Sequence, residues 1–345
     1  MRDYFRNWKS WPRKRPVIIA EVGVNHGGNE HLAWDMIRSA HRHGADFVKL
    51  QSFITEDFFH PSLPYFLATK ALELSFESQR MLFKKAHKQG IRLITTPFDF
   101  ASVDMIEEFD PPAYKIASMD NNNISLIRYI ARKGRPIFIS CGMATLYEIK
   151  KAIEVMREEG NNKFILLHCV SNYPAEYNEL NLSMIGLLRD KFNCPVGFSD
   201  HSIGLFASYL AIFMGATAVE KHFTTDRSLA KRFPEADHAI SIEPDELQNL
   251  KEFREAVPVM IGMPQRMLNM TEKAKRKCFR RGLYAKRDLK KGDRLDLENI
   301  SFLRPVVGIE AGDWQKACGK EVNRKIRKDK PVFFSDLKLQ RRVIQ

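Results

Sequence analysis

The 345-residue chain has only five cysteines, and no two of them form a CxxC pair. Cys141, Cys169, Cys194, Cys278 and Cys318 are dispersed, which argues against a zinc knuckle or a disulfide framework. Reduced thiols are expected, with Cys141 and Cys169 in packing positions. No apolar run reaches the roughly 20 residues needed to cross a bilayer. The N-terminus, MRDYFRNWKSWPRKRP, is basic and aromatic and lacks the apolar core and cleavage site of a secretory signal. Residues 1–16 therefore read as a short arm lying on the main domain of a cytoplasmic protein. Also missing are a GxGxxG turn, a helix-turn-helix and zinc-finger spacing.

Charge of one sign is in excess. The formal net charge is +13, with basic runs in the arm and in the stretch Lys273–Lys291 (KAKRKCFRR and KRDLKK). Nucleic-acid binders carry such runs because Lys and Arg contact phosphates. Here regularly interleaved aromatics are lacking, so a solvated surface that attracts anionic metabolites is the better reading. Neither a nucleic-acid partner nor a membrane is expected.

Short β-rich runs recur along the first three quarters of the chain. They are 17–21, 47–51, 92–96, 113–116, 136–140, 164–169, 195–199 and 218–222. Helical periodicity fills the intervals at 30–43, 75–89, 102–109, 126–133, 146–159, 182–192 and 206–214, with glycine stops such as Gly44 and Gly90. Eight strand–helix alternations predict a parallel sheet closed into a (β/α)8 TIM barrel over residues 17–262. An open doubly wound sheet is the alternative, but the NHGG after the first strand does not fit its dinucleotide turn. Beyond Gly262 a Met-, Lys- and Glu-rich linker is expected to about residue 277. A small β-rich domain follows over 278–345, with a hairpin turn at KKGD, Lys290–Asp293.

The predicted strands end in reactive side chains: Glu21, Lys49 with Gln51, Thr96, Lys115, Ser140, His168, Ser199 with His201, and Glu220 with His222. Barrel active sites form at that end of the strands. His201 and His222, on adjacent strands, could hold a divalent metal with positions left open; a hydrogen-bonded core pair is the alternative. Glu220 shares a face with His222 and could orient a ligand or a water. Lys49, Thr96, Lys115, Ser118, Ser140 and Ser199 could bind a small, doubly charged anion, since two inward lysines require a carboxylate or phosphate nearby. The alternative is that each lysine pairs with a protein acid such as Glu21 or Asp120.

These motifs, AEVGVNHGG, KLQSF, TTPFD, YKIAS, ISCGMAT, LLHCVSNYP, VGFSDHS and EKHFTTDR, then ADHAIS, occur in the order found in the sialic acid synthase family. The resemblance runs from about Val17 to Leu337, and the tail resembles that family's antifreeze-like SAF domain. It implies condensation of phosphoenolpyruvate with an open-chain N-acyl hexosamine, such as N-acetylmannosamine or a diacetamido-dideoxy relative, to a neuraminate-, legionaminate- or pseudaminate-type acid. Phosphate leaves by C–O cleavage. The resemblance further implies Mn2+ or Mg2+ on His201 and His222. It implies a phosphoenolpyruvate pocket at Lys49, Thr96, Lys115, Ser118, Ser140 and Ser199, and catalytic or sugar-side roles for Glu21, Gln51, Asp120, Tyr173 and Asp237. Arg304 matches an arginine that reaches into a partner's barrel, which implies a domain-swapped homodimer. The chain departs from the family at Met119, commonly glycine, and at Asp120, often glutamate in the neuraminate-forming type. SLAKRFPE, 228–235, replaces a shorter Pro-Gly-Pro approach to Asp237, and CFRRGLYA replaces a run in which serine commonly follows the arginines. A synthase acting on a sugar phosphate would need a second phosphate site, and no spare Arg cluster at the strand ends supplies one. A metal-dependent isomerase or hydrolase would leave the paired lysines unexplained.

Overall fold

The computed structural model describes residues 15–338, so the basic arm lies almost wholly outside the described residues. The chain forms two compact units that divide at Gly262. In the first, eight parallel strands pair in sequence order and close on themselves. They are β1 (Val17–Gly23), β2 (Phe47–Ser52), β3 (Leu93–Pro97), β4 (Tyr114–Ile116), β5 (Ile137–Ser140), β6 (Phe164–Cys169), β7 (Val196–Asp200) and β8 (Ala218–His222). The expected (β/α)8 barrel is the observed one, with strand ends displaced by a residue or two.

Alternation of side chains along each strand determines what the barrel holds. Ile18, Ala20, Val48 and Leu50 face outward and pack beneath helices such as Glu30–Arg42 and Phe76–Lys88. Val17, Ile19, Phe47, Ile94, Ala113, Phe138, Ile165, Leu167 and Ala218 form a separate apolar cluster that plugs the barrel. One step further along the same inward register come Glu21, Lys49, Thr96, Lys115, Ser140 and Glu220. The polar residues thus stand on an apolar floor at the C-terminal ends of the strands. His168 breaks this pattern and corrects the sequence reading. It is out of step with the inward residues, its Nε2 lies 2.7 Å from the Leu180 carbonyl, and its ring stacks on Phe198 of the outer core.

A helix that periodicity did not reveal, Pro244–Ile261, completes the outer layer. Its Arg254 is fully buried and pairs with Asp46, whose Oδ2 also accepts from the Ile18 amide at 2.9 Å. An arginine inside a helix obscures an amphipathic pattern, because a buried, paired cation reads as a surface residue.

The second unit has its own apolar core, including Leu283, Leu289, Ile300, Ile309, Val322 and Val332. β9 (Gly282–Ala285) and β10 (Ile300–Leu303) pair antiparallel. The segment expected as linker contains a helix, Met270–Phe279, opened by an Asn269–Glu272 capping box. The turn at Lys290–Asp293 is present, with the Asp293 amide donating to the Lys290 carbonyl at 3.0 Å. Its flanks do not pair with each other: Leu289 bridges Ile326 and Arg294 bridges Glu321. Residues 263–345 carry 23 Lys and Arg against 10 Asp and Glu. The whole surplus of +13 therefore belongs to this unit, because the basic arm is offset by acids of the barrel.

Candidate active site

A cavity of about 520 Å³ opens at the C-terminal ends of the strands. Glu21, Lys49, Gln51, Lys115, Ser118, Ser140, Tyr173, Ser199, His201, His222 and Asp237 all line it. Thr96 lies beneath them and accepts a hydrogen bond from Lys49 Nζ at 3.1 Å. Asp120 is not among the lining residues; its neighbour Met119 is. Asp120 is half-buried in a short 3-10 turn, and burial raises its carboxyl to about 6. Arg304 lies on the second unit, exposed just beyond β10 and without an ion-pair partner among the described residues.

The lysines are not left seeking an anion. Lys49 Nζ lies 2.6 Å from Glu21 Oε2 and 3.7 Å from Glu220 Oε2, and Lys115 Nζ lies 3.5 Å from Glu220 Oε1. All four side chains are at most 6% exposed. The protein's own acids therefore supply the counter-charge that the sequence argument assigned to a substrate, and the second acid is Glu220, not Asp120. Burial raises Glu21 to about 7, against the opposing pull of Lys49. Burial acts on Glu220 in the same direction, but Lys115 and Lys49 outweigh it and hold that carboxyl well below the usual range. Lys115 is pulled down, chiefly by burial, whereas the two carboxylates hold Lys49 up against the same effect. Glu21 and Lys49 both rise although they form one pair. The 2.6 Å contact favours the charged pair, with Glu21 the acid most readily protonated.

Adjacent strands bring the two histidines together, with ring centroids 5.6 Å apart. Burial keeps both neutral, lowering His201 to about 4 and His222 to about 3. His201 Nδ1 lies 2.6 Å from the Val170 carbonyl, which makes it the protonated nitrogen and leaves Nε2 with a lone pair facing the cavity, 3.1 Å from the Tyr173 hydroxyl. His222 Nδ1 has no hydrogen-bond partner and lies 3.5 Å from Asp237 Oδ2. Buried Lys221 bonds Asp200 Oδ2 at 3.2 Å and also donates to the Ser202 carbonyl, tying the residues that flank His201 and His222 to each other.

Among the described residues no group of three or more His, Cys, Asp or Glu side chains is arranged to hold an ion. Two neutral imidazoles, one with a buried unpartnered nitrogen, fit a metal that takes its remaining ligands from substrate or water. Ser140 Oγ is likewise buried with no partner.

Sequence reasoning missed two features. Phe53, Phe58, Phe59 and Phe98 form an aromatic wall of the cavity, with Phe58 stacked on Phe98 at 4.2 Å. They come from the loop after β2 and the end of β3, and only the loop's course brings them together. Gly142 was also missed. A Cβ there would lie 2.3 Å from Ser171 Oγ and 2.8 Å from Cys169 Sγ, so the close packing of the wall requires glycine.

Ionisable groups gathered over an apolar plug at the C-terminal mouth of a parallel barrel define an enzyme of the (β/α)8 class. The kinship of the chain narrows that class. Residues 36–266 match the NeuB family and residues 280–338 match the SAF domain, so the chain belongs to the NeuB family and carries a SAF domain. It is 35% identical to the N,N'-diacetyllegionaminic acid synthase of Campylobacter jejuni, over 92% of this chain and 99% of that protein. It is 32% identical to a pseudaminic acid synthase of the same species, over 91% of this chain and 94% of that protein. The N-acetylneuraminic acid synthetase of Leptospira borgpetersenii, solved with citrate, superposes with a TM-score of 0.69 at 36% identity. That match covers 75% of this chain and 90% of the other. These three relatives are named as synthases of nonulosonic acids.

Proposed function

We propose that the chain condenses phosphoenolpyruvate with an open-chain N-acyl hexosamine to give a nonulosonic acid. C3 of phosphoenolpyruvate attacks the aldehyde carbon, water adds at C2, and the tetrahedral intermediate expels phosphate by breaking its C–O bond. The observation that carries this reading is the cavity itself. It sets two buried lysines and an unpartnered Ser140 hydroxyl beside two neutral imidazoles.

Lys49, Lys115, Ser118, Ser140 and Ser199 would hold the carboxylate and phosphate. Binding an anion there must loosen the lysines from Glu21 and Glu220. Glu21, raised to about 7, is suited to take the proton of the water that adds at C2, because a base works best near the ambient pH. His201 and His222 would hold Mn2+ or Mg2+, which when bound supplies polarisation of the aldehyde. Arg304 would complete the pocket of a partner subunit in a domain-swapped homodimer. No helix among the described residues is long and apolar enough to cross a membrane, which is compatible with a cytoplasmic enzyme.

The test is phosphate release from phosphoenolpyruvate with a panel of N-acyl hexosamines. Release should require both the sugar and a divalent ion, and chelation should stop it. Release without sugar, or unaffected by metal stripping, would overturn the reading.

A further inference from the structure

The segment between β8 and Asp237 is one of the places where this chain departs from the pattern of its family, and its course is tightly held. The Phe233 ring occupies the space beside Gly27: a Cβ on that glycine would lie 2.2 Å from the ring. The Phe233 amide donates to the Leu229 carbonyl at 2.9 Å, and the ring stacks on buried His238 at 6.0 Å. Between these anchors Glu235 lines the cavity, exposed and without an ion-pair partner among the described residues. The depth of the charged groups is graded. Lys49, Lys115, Glu21 and Glu220 are at most 6% exposed, the Asp237 side chain is 29% exposed, and Glu235 lies furthest out. The cavity lining therefore holds two lysines against four carboxyl groups, and both lysines are at the bottom. Arg304, if delivered there by a partner, would not reverse the balance.

We propose that Glu235, fixed by the Phe233 wedge, is a specificity residue that selects an uncharged sugar and rejects a sugar phosphate. The proposal rests on the synthase reading above and refines it to the class of acceptor. A carboxylate accepts hydrogen bonds from the hydroxyl and amide N–H groups of a neutral N-acyl hexosamine. A phosphate offers it only acceptors and like charge; Lys231 and Arg232, exposed earlier in the same segment, do not line the cavity, whose lining cations are the buried Lys49 and Lys115. Discrimination therefore comes from repulsion of the wrong substrate as much as from attraction of the right one.

The experiment compares N-acetylmannosamine with N-acetylmannosamine 6-phosphate on the full chain, by kcat/KM for phosphate release and by calorimetric binding without turnover. The unphosphorylated sugar should be preferred at least about tenfold in both, since one like charge at the mouth is worth roughly that much. Glu235→Gln should narrow the preference, and Glu235→Lys should narrow it further by lowering KM for the phosphorylated sugar. KM for phosphoenolpyruvate should be unchanged. Added salt should weaken the discrimination, because the carboxylate is exposed. Equal use of both sugars by the wild type, or an unchanged preference in Glu235→Lys, overturns the assignment. If neither sugar is turned over but binding still discriminates, the synthase reading fails and the role of Glu235 stands.

Discussion

Replacing Glu220 by Gln removes the charge that faces both buried lysines while keeping the shape of the side chain. Its oxygens lie 3.5 Å from Lys115 and 3.7 Å from Lys49. At an effective dielectric constant near 20, each contact is worth about 4–5 kcal/mol of Coulomb energy. Hydrating the released charges returns part of that, and breaking one side of a buried ion cluster costs about 3–5 kcal/mol net. For a unit of this size, that corresponds to a drop in Tm of roughly 6–20 °C. Partial relief comes from Lys115, which burial already pulls down. With its folded pKa depressed below 10.5, Lys115 binds fewer protons folded than unfolded. The variant should therefore regain stability as pH rises towards the ordinary lysine range. The two uncompensated lysines should also bind phosphoenolpyruvate about tenfold or more tightly. The assay is thermal unfolding of wild type and Glu220→Gln across pH, with and without phosphoenolpyruvate. A Tm unchanged within error, with weaker phosphoenolpyruvate binding, would mean that Glu220 contacts the substrate directly and does not balance the lysines.

The histidines predict a pH dependence. Their folded values, about 4 and about 3, lie below 6.5. The stability they confer is thus present above pH 6.5 and lost as pH falls from there towards 4. Glu21 and Asp120, raised to about 7 and about 6, have the opposite sign, but buried His26, lowered to about 3, adds to the histidine side. Urea titrations of the metal-free protein should show stability rising from pH 4.5 to 6.5, with a flatter profile in His201→Asn/His222→Asn. Mn2+ should raise Tm in the wild type and not in that double variant, because only a bound ligand shifts the equilibrium. Gly142→Ala should abolish phosphate release, since its methyl group would displace Ser171 and Ser118; full activity would refute a tight wall there. Mixing Arg304→Ala with His201→Ala chains, each inactive alone, should restore part of the activity if the arginine acts in trans. No recovery in mixed dimers confirmed by mass would place it in its own chain.

Period and punctuation were enough to read the barrel, because strand and helix alternation is a local property of the chain. The SDHS and EKH motifs were enough to place His201 and His222 at one mouth, since both follow directly from strand ends. Three things required the tertiary structure. Besides Glu21, the acid that faces both lysines is Glu220, which closure of the barrel brings from β8 to Lys49 on β2 and Lys115 on β4. The direction of His168 is outward, because only closure of the barrel reveals which residues of β6 face the axis. Phe58, Phe98, Ser171 and Glu235 line one cavity, although their positions in the chain span nearly 180 residues. Local pattern specifies which residues can face inward. Which of them meet depends on barrel closure and loop path, and those are determined by contacts far apart in the sequence.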